Sequence, residues 1–333
     1  MIPDIDELLS RPCDADREAM AALGGDLILL GAGGKMGPTL ALRARRAAAP
    51  GQRILAVARF TNPDVKTMLD QAGVETITAD LLDRTQLDAL PDVPNVLYLA
   101  ARKFGASGDP SLTWAMNVLL PALVAERYRR SRIVSFSTGN VYAFTRAASG
   151  GPVETTPMEP VGEYAITALG RERLFEYWSR RNGTPVALLR LNYAIDMRYG
   201  VLLDIGQKVF ERRPVDVTMG SVNVVWQGYA NSVALRSFAL ASSPPFVLNL
   251  TGPETLSVRS IAWRFGEIFG LEPEFTGQEA PEALLSNAAR CHRLFGCPEF
   301  TPEQMIEMTA GWIREGGPVY NKPTKFQVRD GRF

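Results

Sequence analysis

Histidine is nearly absent. His292 is the only one in 333 residues, and it stands in ARCHRLF beside Cys291 and near Cys297. Serine-histidine-aspartate and cysteine-histidine catalysis both need a histidine, which only this late, arginine-flanked segment could supply, so hydrolytic chemistry is disfavoured. One His and two Cys so spaced match no usual zinc pattern and no fourth ligand is evident, so no metal site is expected. Cysteine is scarce too: Cys13, Cys291 and Cys297 show no framework spacing, and a reducing cytoplasm is the expected compartment. Neither sign of charge prevails. Lys plus Arg and Asp plus Glu both number 36, which leaves no broad basic footprint for nucleic acid or an anionic membrane. No apolar run has the length to span a bilayer. The opening MIPDIDELLSRPCDADREAM carries acids and Pro3 where a secretory signal would need a basic start and a continuous apolar stretch. The expectation is a cytoplasmic protein whose partner is a small-molecule substrate.

What is present is a strand and helix rhythm. After a helical extension over 4–24, the apolar run DLILL (26–30) enters the turn GAGGKMG (31–37), and an Ala-, Leu- and Arg-rich helix follows as far as Pro50-Gly51. RILAVARF (53–60), VETITAD (74–80), VLYLAA (96–101), RIVSFSTGNVY (132–142) and PVALLRLNYAI (185–195) read as further strands. Helices are predicted over 62–73, 110–131 and 162–181. Strands so apolar and so regularly separated by helices predict a parallel, doubly wound, Rossmann-like α/β sheet covered on both faces. Beyond 196 the rhythm loosens. Helices are expected over 200–213, 228–242, 257–270, 283–295 and 301–317, with 215–227 extended and FVLNLTG (246–252) one more strand. The domains then read as an N-terminal extension (1–25), a dinucleotide-binding unit (26–198 plus about 222–252), and a smaller, mainly helical substrate unit with a tail (about 199–221 plus 253–333). Trp226 and Tyr229 read as core or seam aromatics.

Gly31, Gly34 and Gly37 stand three apart between a strand and a helix, where a missing side chain admits a pyrophosphate to the backbone and the helix N-terminus supplies amides. Lys35 and Met36 belong to the same turn. At the end of the second strand, where an NAD-selective site would show an acid, stands Arg59. A guanidinium there suits a ribose 2′-phosphate, and Lys35 would add a second cation, so NADP is favoured with NAD possible. The plainer alternative is that Arg59 is a solvated strand-end residue.

These residues resemble the extended short-chain dehydrogenase/reductases, or NAD-dependent epimerase/dehydratase-like proteins, from about 26 to 312. The marks are the G-x-x-G-x-x-G turn, TADLLD (78–83), LAA (99–101), Asn117 and STGNVY (137–142), with Tyr164 following Thr138 by 26 residues. The resemblance implies that Asp80 and Leu81 border the adenine, that Leu99, Ala100 and Ala101 line the coenzyme channel with Asn117 close by, and that Thr138 and Tyr164 are the catalytic hydroxyl pair. A carbinol being oxidised loses a proton as its hydride leaves, and a phenol beside a second hydroxyl can relay that proton.

One departure stands out. The family's Tyr-x-x-x-Lys reads YAITA here, so Ala168 takes the place of the lysine that holds the nicotinamide ribose and favours tyrosinate. Arg171, one helical turn on, is the candidate replacement. Gly139-Asn140 stands where nucleotide-sugar dehydratases of the family carry an Asp-Glu pair, which disfavours 4,6-dehydration. Substrate contacts are expected from Lys103, Asn140, Asn192, Tyr193 and Arg198, the two cations being suited to a carboxylate or phosphate. The sequence thus reads as an NAD(P)-dependent oxidoreductase or epimerase of a small sugar-derived or polyhydroxylated substrate. The alternative is a catalytically silent NAD(P)-binding sensor or regulator. By the resemblance, helices 110–131 and 162–181 would pair in a homodimer, with ALVAERY and LFEYW as apolar stripes; the same stripes could instead face the sheet.

Overall fold

Seven strands form one sheet: β1 (Leu27–Leu30), β2 (Ile54–Ala58), β3 (Glu75–Thr78), β4 (Asn95–Tyr98), β5 (Arg132–Thr138), β6 (Val186–Leu191) and β7 (Phe246–Leu250). The computed structural model describes residues 4–103, 105–106, 108–322 and 324–332. Strand order is β7-β6-β5-β4-β1-β2-β3, and every pairing is parallel. The order reverses between β1 and β4, which opens a crevice beyond their carboxyl ends. Leu30 is in register with both Val57 and Tyr98, so the central strands finish at one level, under the glycine turn. LILL and ILAVA are buried throughout because helices cover both faces of the sheet.

The N-terminal extension is two helices, α1 (Ile5–Ser10) and α2 (Asp14–Leu23), not one. Pro12 interrupts them, since proline disfavours helical backbone in the residue before it and offers no amide. They are part of the body: Arg43 lies 2.7 Å from Asp16, and Ser232 donates to the same carboxylate at 2.5 Å. Next come α3 (Gly37–Ala47), α4 (Pro63–Gln71) and α5 (Arg84–Asp88), the last a short helix that the apolar pattern does not signal. The long helix expected over 110–131 is α6 (Pro110–Trp114) and α7 (Leu120–Arg127), joined by a π-helical turn, Ala115–Leu119. Such turns re-aim a side chain within a helix; here Asn117 is turned fully inward. Helix α8 (Glu163–Asn182) runs as its pattern predicts and ends at Gly183, whose φ of +69° is a glycine conformation.

Beyond β6 follow α9 (Val201–Phe210), α10 (Gln227–Arg236), α11 (Val258–Phe269), α12 (Ala289–Phe295) and α13 (Pro302–Arg314). The extended 215–227 segment contains three short paired pieces, Val215–Asp216, Ser221–Val222 and Val225–Trp226. This region has its own core of Val201, Leu202, Ile205, Phe265 and Trp312, closed by Phe326 of the tail. Trp226 belongs to that core and Tyr229 to the sheet's, as apolar-seam residues should. Among the described residues no helix is long and apolar enough to cross a membrane.

Candidate active site

Gly31, Gly34 and Gly37 of the turn are there for two different reasons. Gly31 has φ +93°, and a Cβ on it would lie 2.6 Å from the Ala100 nitrogen, so the turn rests directly on the end of β4. A Cβ on Gly37 would overlap the Ala32 carbonyl. At Gly34 the nearest atom to an added Cβ is the Gly31 oxygen at 3.6 Å, so packing within the protein does not demand glycine there. That open backbone face lies just ahead of the first turn of α3, whose free amides favour an anion. The turn therefore fits a pyrophosphate approaching from the crevice. Leu99 donates its amide to Leu30 at 2.8 Å, continuing the β4–β1 ladder, with Ala100 buried and Ala101 exposed beyond it. Asp80 follows β3, its carboxylate accepting from Leu82 at 3.0 Å, and Leu81 is buried beside it. Met36, half-buried, packs on the sheet core.

Two expected coenzyme contacts have partners within the protein. Lys35 does not face the end of β2: its Nζ donates to the Ala194 carbonyl at 3.0 Å, lies 3.8 Å from Asp196 and sits 4.7 Å over the Tyr199 ring. The buried Asp196 and an exposed carbonyl dipole draw the ammonium across the crevice, and burial lowers its pKa to about 8 against the pull of Asp196. Arg59 remains exposed at the end of β2. Asn117 clamps the chain after β4. Its Oδ1 accepts from the Arg102 amide at 2.8 Å, and its Nδ2 donates to the Arg102 carbonyl at 2.9 Å and to Thr167 at 3.0 Å.

Thr138 ends β5, and its hydroxyl donates to Asn140 Oδ1 at 2.9 Å while accepting from the Asn140 amide at 3.2 Å. Tyr164 is buried in the first turn of α8 with Ala106 and Val328 against it. Lys103, the residue after the clamped Arg102, has its Nζ 5.8 Å from the centroid of the Tyr164 ring and 6.0 Å from that of Tyr193. Burial lowers the Lys103 pKa to about 8, with Asp204 acting in the other direction. Tyr193 itself has φ +44°, a left-handed backbone costing a non-glycine residue about 1 kcal/mol, held by the Val225 amide bonding its carbonyl at 3.1 Å. Burial pushes the Tyr193 phenol above its usual range.

Arg171 does not reach back along the helix. Its Nη1 donates to the Phe136 carbonyl at 2.9 Å and its Nη2 to Asn117 Oδ1 at 3.1 Å, which joins α8, β5 and the π-helical turn. Ala168 is wholly buried against Val141 and Tyr142, with Met158 and Leu169 around it, and carries no charge to this place.

Of the expected substrate residues, Asn192 is buried, with its Nδ2 turned to the Leu284 carbonyl at 3.4 Å. Arg198 bonds Asp6 at 2.8 Å and lines a cavity of about 300 Å³ together with Asp204, Gln207, Lys208, Arg213 and Lys322. Lys322 comes from the C-terminal tail, which folds back over this region. Thr324 donates its amide at 2.7 Å and its hydroxyl at 2.5 Å to Asp204, whose pKa burial raises in spite of those bonds. Further along, a Cβ on Gly331 would lie 2.6 Å from the Gly162 Cα, so the tail is seated two residues before Tyr164. A second unforeseen group lies beneath Thr138. Ser137 and Arg190 converge on Glu172, at 2.5 and 2.7 Å, and Arg190 also donates to Tyr142, which donates to Asn249 at 2.8 Å. Arg190 within the strand run VALLRL is the signal that could have revealed it, because a charge in an apolar strand needs a buried partner.

A doubly wound sheet with a glycine turn at its switch point, a threonine ending β5 and a tyrosine opening the next helix defines a dinucleotide-binding protein of the short-chain dehydrogenase/reductase type. The NAD dependent epimerase/dehydratase family matches residues 27–194, and the chain belongs to that family. No curated protein matches the sequence. Among solved structures, UDP-glucose 4-epimerase from Thermotoga maritima with UDP-glucose is similar at 16% identity and TM-score 0.72, covering 87% of this chain and 99% of that one. UDP-glucuronic acid 4-epimerase from Bacillus cereus, with UDP-glucuronic acid and NAD, is similar at 17% identity and TM-score 0.72 over the same shares. UDP-glucose 4-epimerase from Thermus thermophilus with NAD is similar at 17% identity and TM-score 0.70, again over 87% and 99%.

Proposed function

We propose that the chain binds a nicotinamide dinucleotide across the β1/β4 crevice and interconverts a carbinol and a ketone on a sugar-derived substrate, as a net oxidoreductase or as an epimerase. The observation that carries this reading is the open backbone face of Gly34, set where a pyrophosphate would meet the N-terminus of α3. The coenzyme, when bound, supplies the hydride acceptor or donor. Tyr164, deprotonated, takes the carbinol proton as the C–H bond gives up its hydride, leaving a ketone. Thr138, fixed by Asn140, holds the reacting oxygen. Epimerisation is return of hydride to the opposite face of that ketone, with Tyr164 giving its proton back.

NAD is the favoured coenzyme. With Lys35 drawn to Asp196, only Arg59 of the two expected cations is left at the end of β2, where it is exposed, and solved neighbours carry NAD. The basic cavity of Arg198, Lys208, Arg213 and Lys322 suits an anionic substrate, a phosphate or a carboxylate of the sugar. A panel of sugar nucleotides, aldonates and ketoses, with nicotinamide absorbance and product analysis together, tests the activity. Conversion of an anionic member with NAD supports the reading. Coenzyme binding with no conversion in any assay favours the sensor reading, to which the enclosed Ala168 lends weight.

We also propose a homodimer through α6–α7 and α8. Val124, Ala125 and Phe175 of the apolar stripes face the sheet, but Trp114, Leu119, Ile166 and Tyr177 of the same helices are exposed, which is costly for large apolar groups on a free surface. Leu119→Asp is expected to halve the mass seen by analytical ultracentrifugation; an unchanged mass rejects this interface.

A further inference from the structure

The cation that helix α8 lacks has a substitute on another element. We propose that Lys103 supplies the positive charge beside Tyr164 that position 168 cannot, and that Arg171 and Asn117 are positioning residues which hold the Lys103 backbone in place. This rests on the proposed carbinol–ketone reaction for its consequence, though the geometry stands by itself.

Position 168 offers no charge: Ala168 packs against Val141 and Tyr142 between α8 and the turn after β5. Lys103 brings one from the chain after β4, its Nζ lying 5.8 Å from the Tyr164 ring centroid and 6.0 Å from that of Tyr193. The route that fixes it is continuous. Arg171 bonds Asn117, Asn117 bonds both the amide and the carbonyl of Arg102, and Lys103 is the next residue. This also explains why the buried Arg171 lies one turn beyond Ala168 without facing the reacting groups: it acts through Asn117. The π-helical turn is what aims Asn117 at Arg102.

The ionisable groups facing Lys103 are Tyr164 from α8, Tyr193 from the end of β6 and Asp204 from α9. Tyr199 interacts with Asp204, Tyr164 and Tyr193, and Lys35 lies over its ring. Lys103 holds its proton only up to about pH 8. The sign follows. Below about pH 8 the ammonium is present and favours tyrosinate; as pH rises through that value the charge and its assistance are lost. A unit charge about 6 Å away at an effective dielectric near 20 corresponds to about one to two pH units.

The first test is read on coenzyme-free protein labelled with 3-fluorotyrosine, the Tyr164 resonance being assigned by its loss in Tyr164→Phe. In Lys103→Met that resonance is expected to titrate about one to two pH units higher than in the parent, while Lys103→Arg, charged throughout, holds it at or below the parent's. A resonance unmoved in folded Lys103→Met overturns the proposal. The second test is the pH profile of turnover, in which the parent is expected to lose rate as pH rises through about 8. Lys103→Arg, whose guanidinium stays charged, moves that limb up by more than about one unit; a limb that stays near 8 also overturns the proposal. Should Lys103→Met fail to fold, the Lys103→Arg profile decides. Should the chain turn over no substrate, the fluorine titration still decides, so failure of the reaction reading and failure of the lysine assignment are told apart.

Discussion

Residues 27–194 build the cradle at the glycine turn largely from backbone, whereas residues 195–332 build a basic cavity from side chains far apart in sequence. In the first region the elements proposed to meet the coenzyme are a turn resting on a neighbouring strand, the end of the β4–β1 ladder and the amides of a helix start. In the second, Thr324 bonds Asp204, Arg198 bonds Asp6, and the basic cavity is completed only by the tail. A backbone cradle tolerates surface change and binds one kind of group. A side-chain cavity assembled by distant segments can be re-specified by a few substitutions, as the proposed substrate site would require.

The sharpest way to break this division is at its seam. Tyr164→Phe is expected to lower turnover about 10²- to 10⁴-fold with coenzyme affinity and melting temperature nearly unchanged. A loss of coenzyme binding of similar size would show the tyrosine to belong to the cradle. Glu172→Ala strips Arg190 of its buried counter-charge and should cost about 3–5 kcal/mol in urea unfolding; a change below about 1 kcal/mol would mean that Tyr142 and the Glu154 carbonyl suffice for Arg190.

Gly34→Ala separates cradle from fold. Its Cβ meets nothing nearer than 3.6 Å, so stability should change by less than about 1 kcal/mol. Coenzyme affinity should fall roughly tenfold, measured by fluorescence titration. Unaltered affinity would move the pyrophosphate elsewhere. The smallest effect is expected from Thr324→Val, which removes one of two bonds from the tail to Asp204. At about 0.5–1.5 kcal/mol it should raise substrate KM roughly two- to tenfold while leaving coenzyme affinity alone. A shift in coenzyme affinity instead would erase the distinction between the two regions.

The same contrast explains what could be read from the sequence. Runs such as LILL and ILAVA mark strands buried on both faces, and GAGGKMG between a strand and a helix places the crevice, because these are local patterns with local causes. The position of Tyr164 in the first turn of α8 is equally local. The direction in which Lys35 points is not local, since Asp196 lies 161 residues on. Nor does anything near Asn117 disclose a π-helical turn, or that its amide is occupied by Arg102 and Arg171. Arg171 was legible as the next cation along the helix, but its partner was not. The tail PVYNKPTKFQVRDGRF gives no local sign of where it lies; its bonds to Asp204 and its seat on Gly162 place it against the body, two residues before Tyr164.

The measurement closest to the centre of this account is a calorimetric titration of the intact, folded chain with NAD and, separately, with NADP. Saturable heat at one site per chain, tighter for NAD and weakened in Gly34→Ala, is the predicted result. A folded protein that takes up neither coenzyme would contradict it.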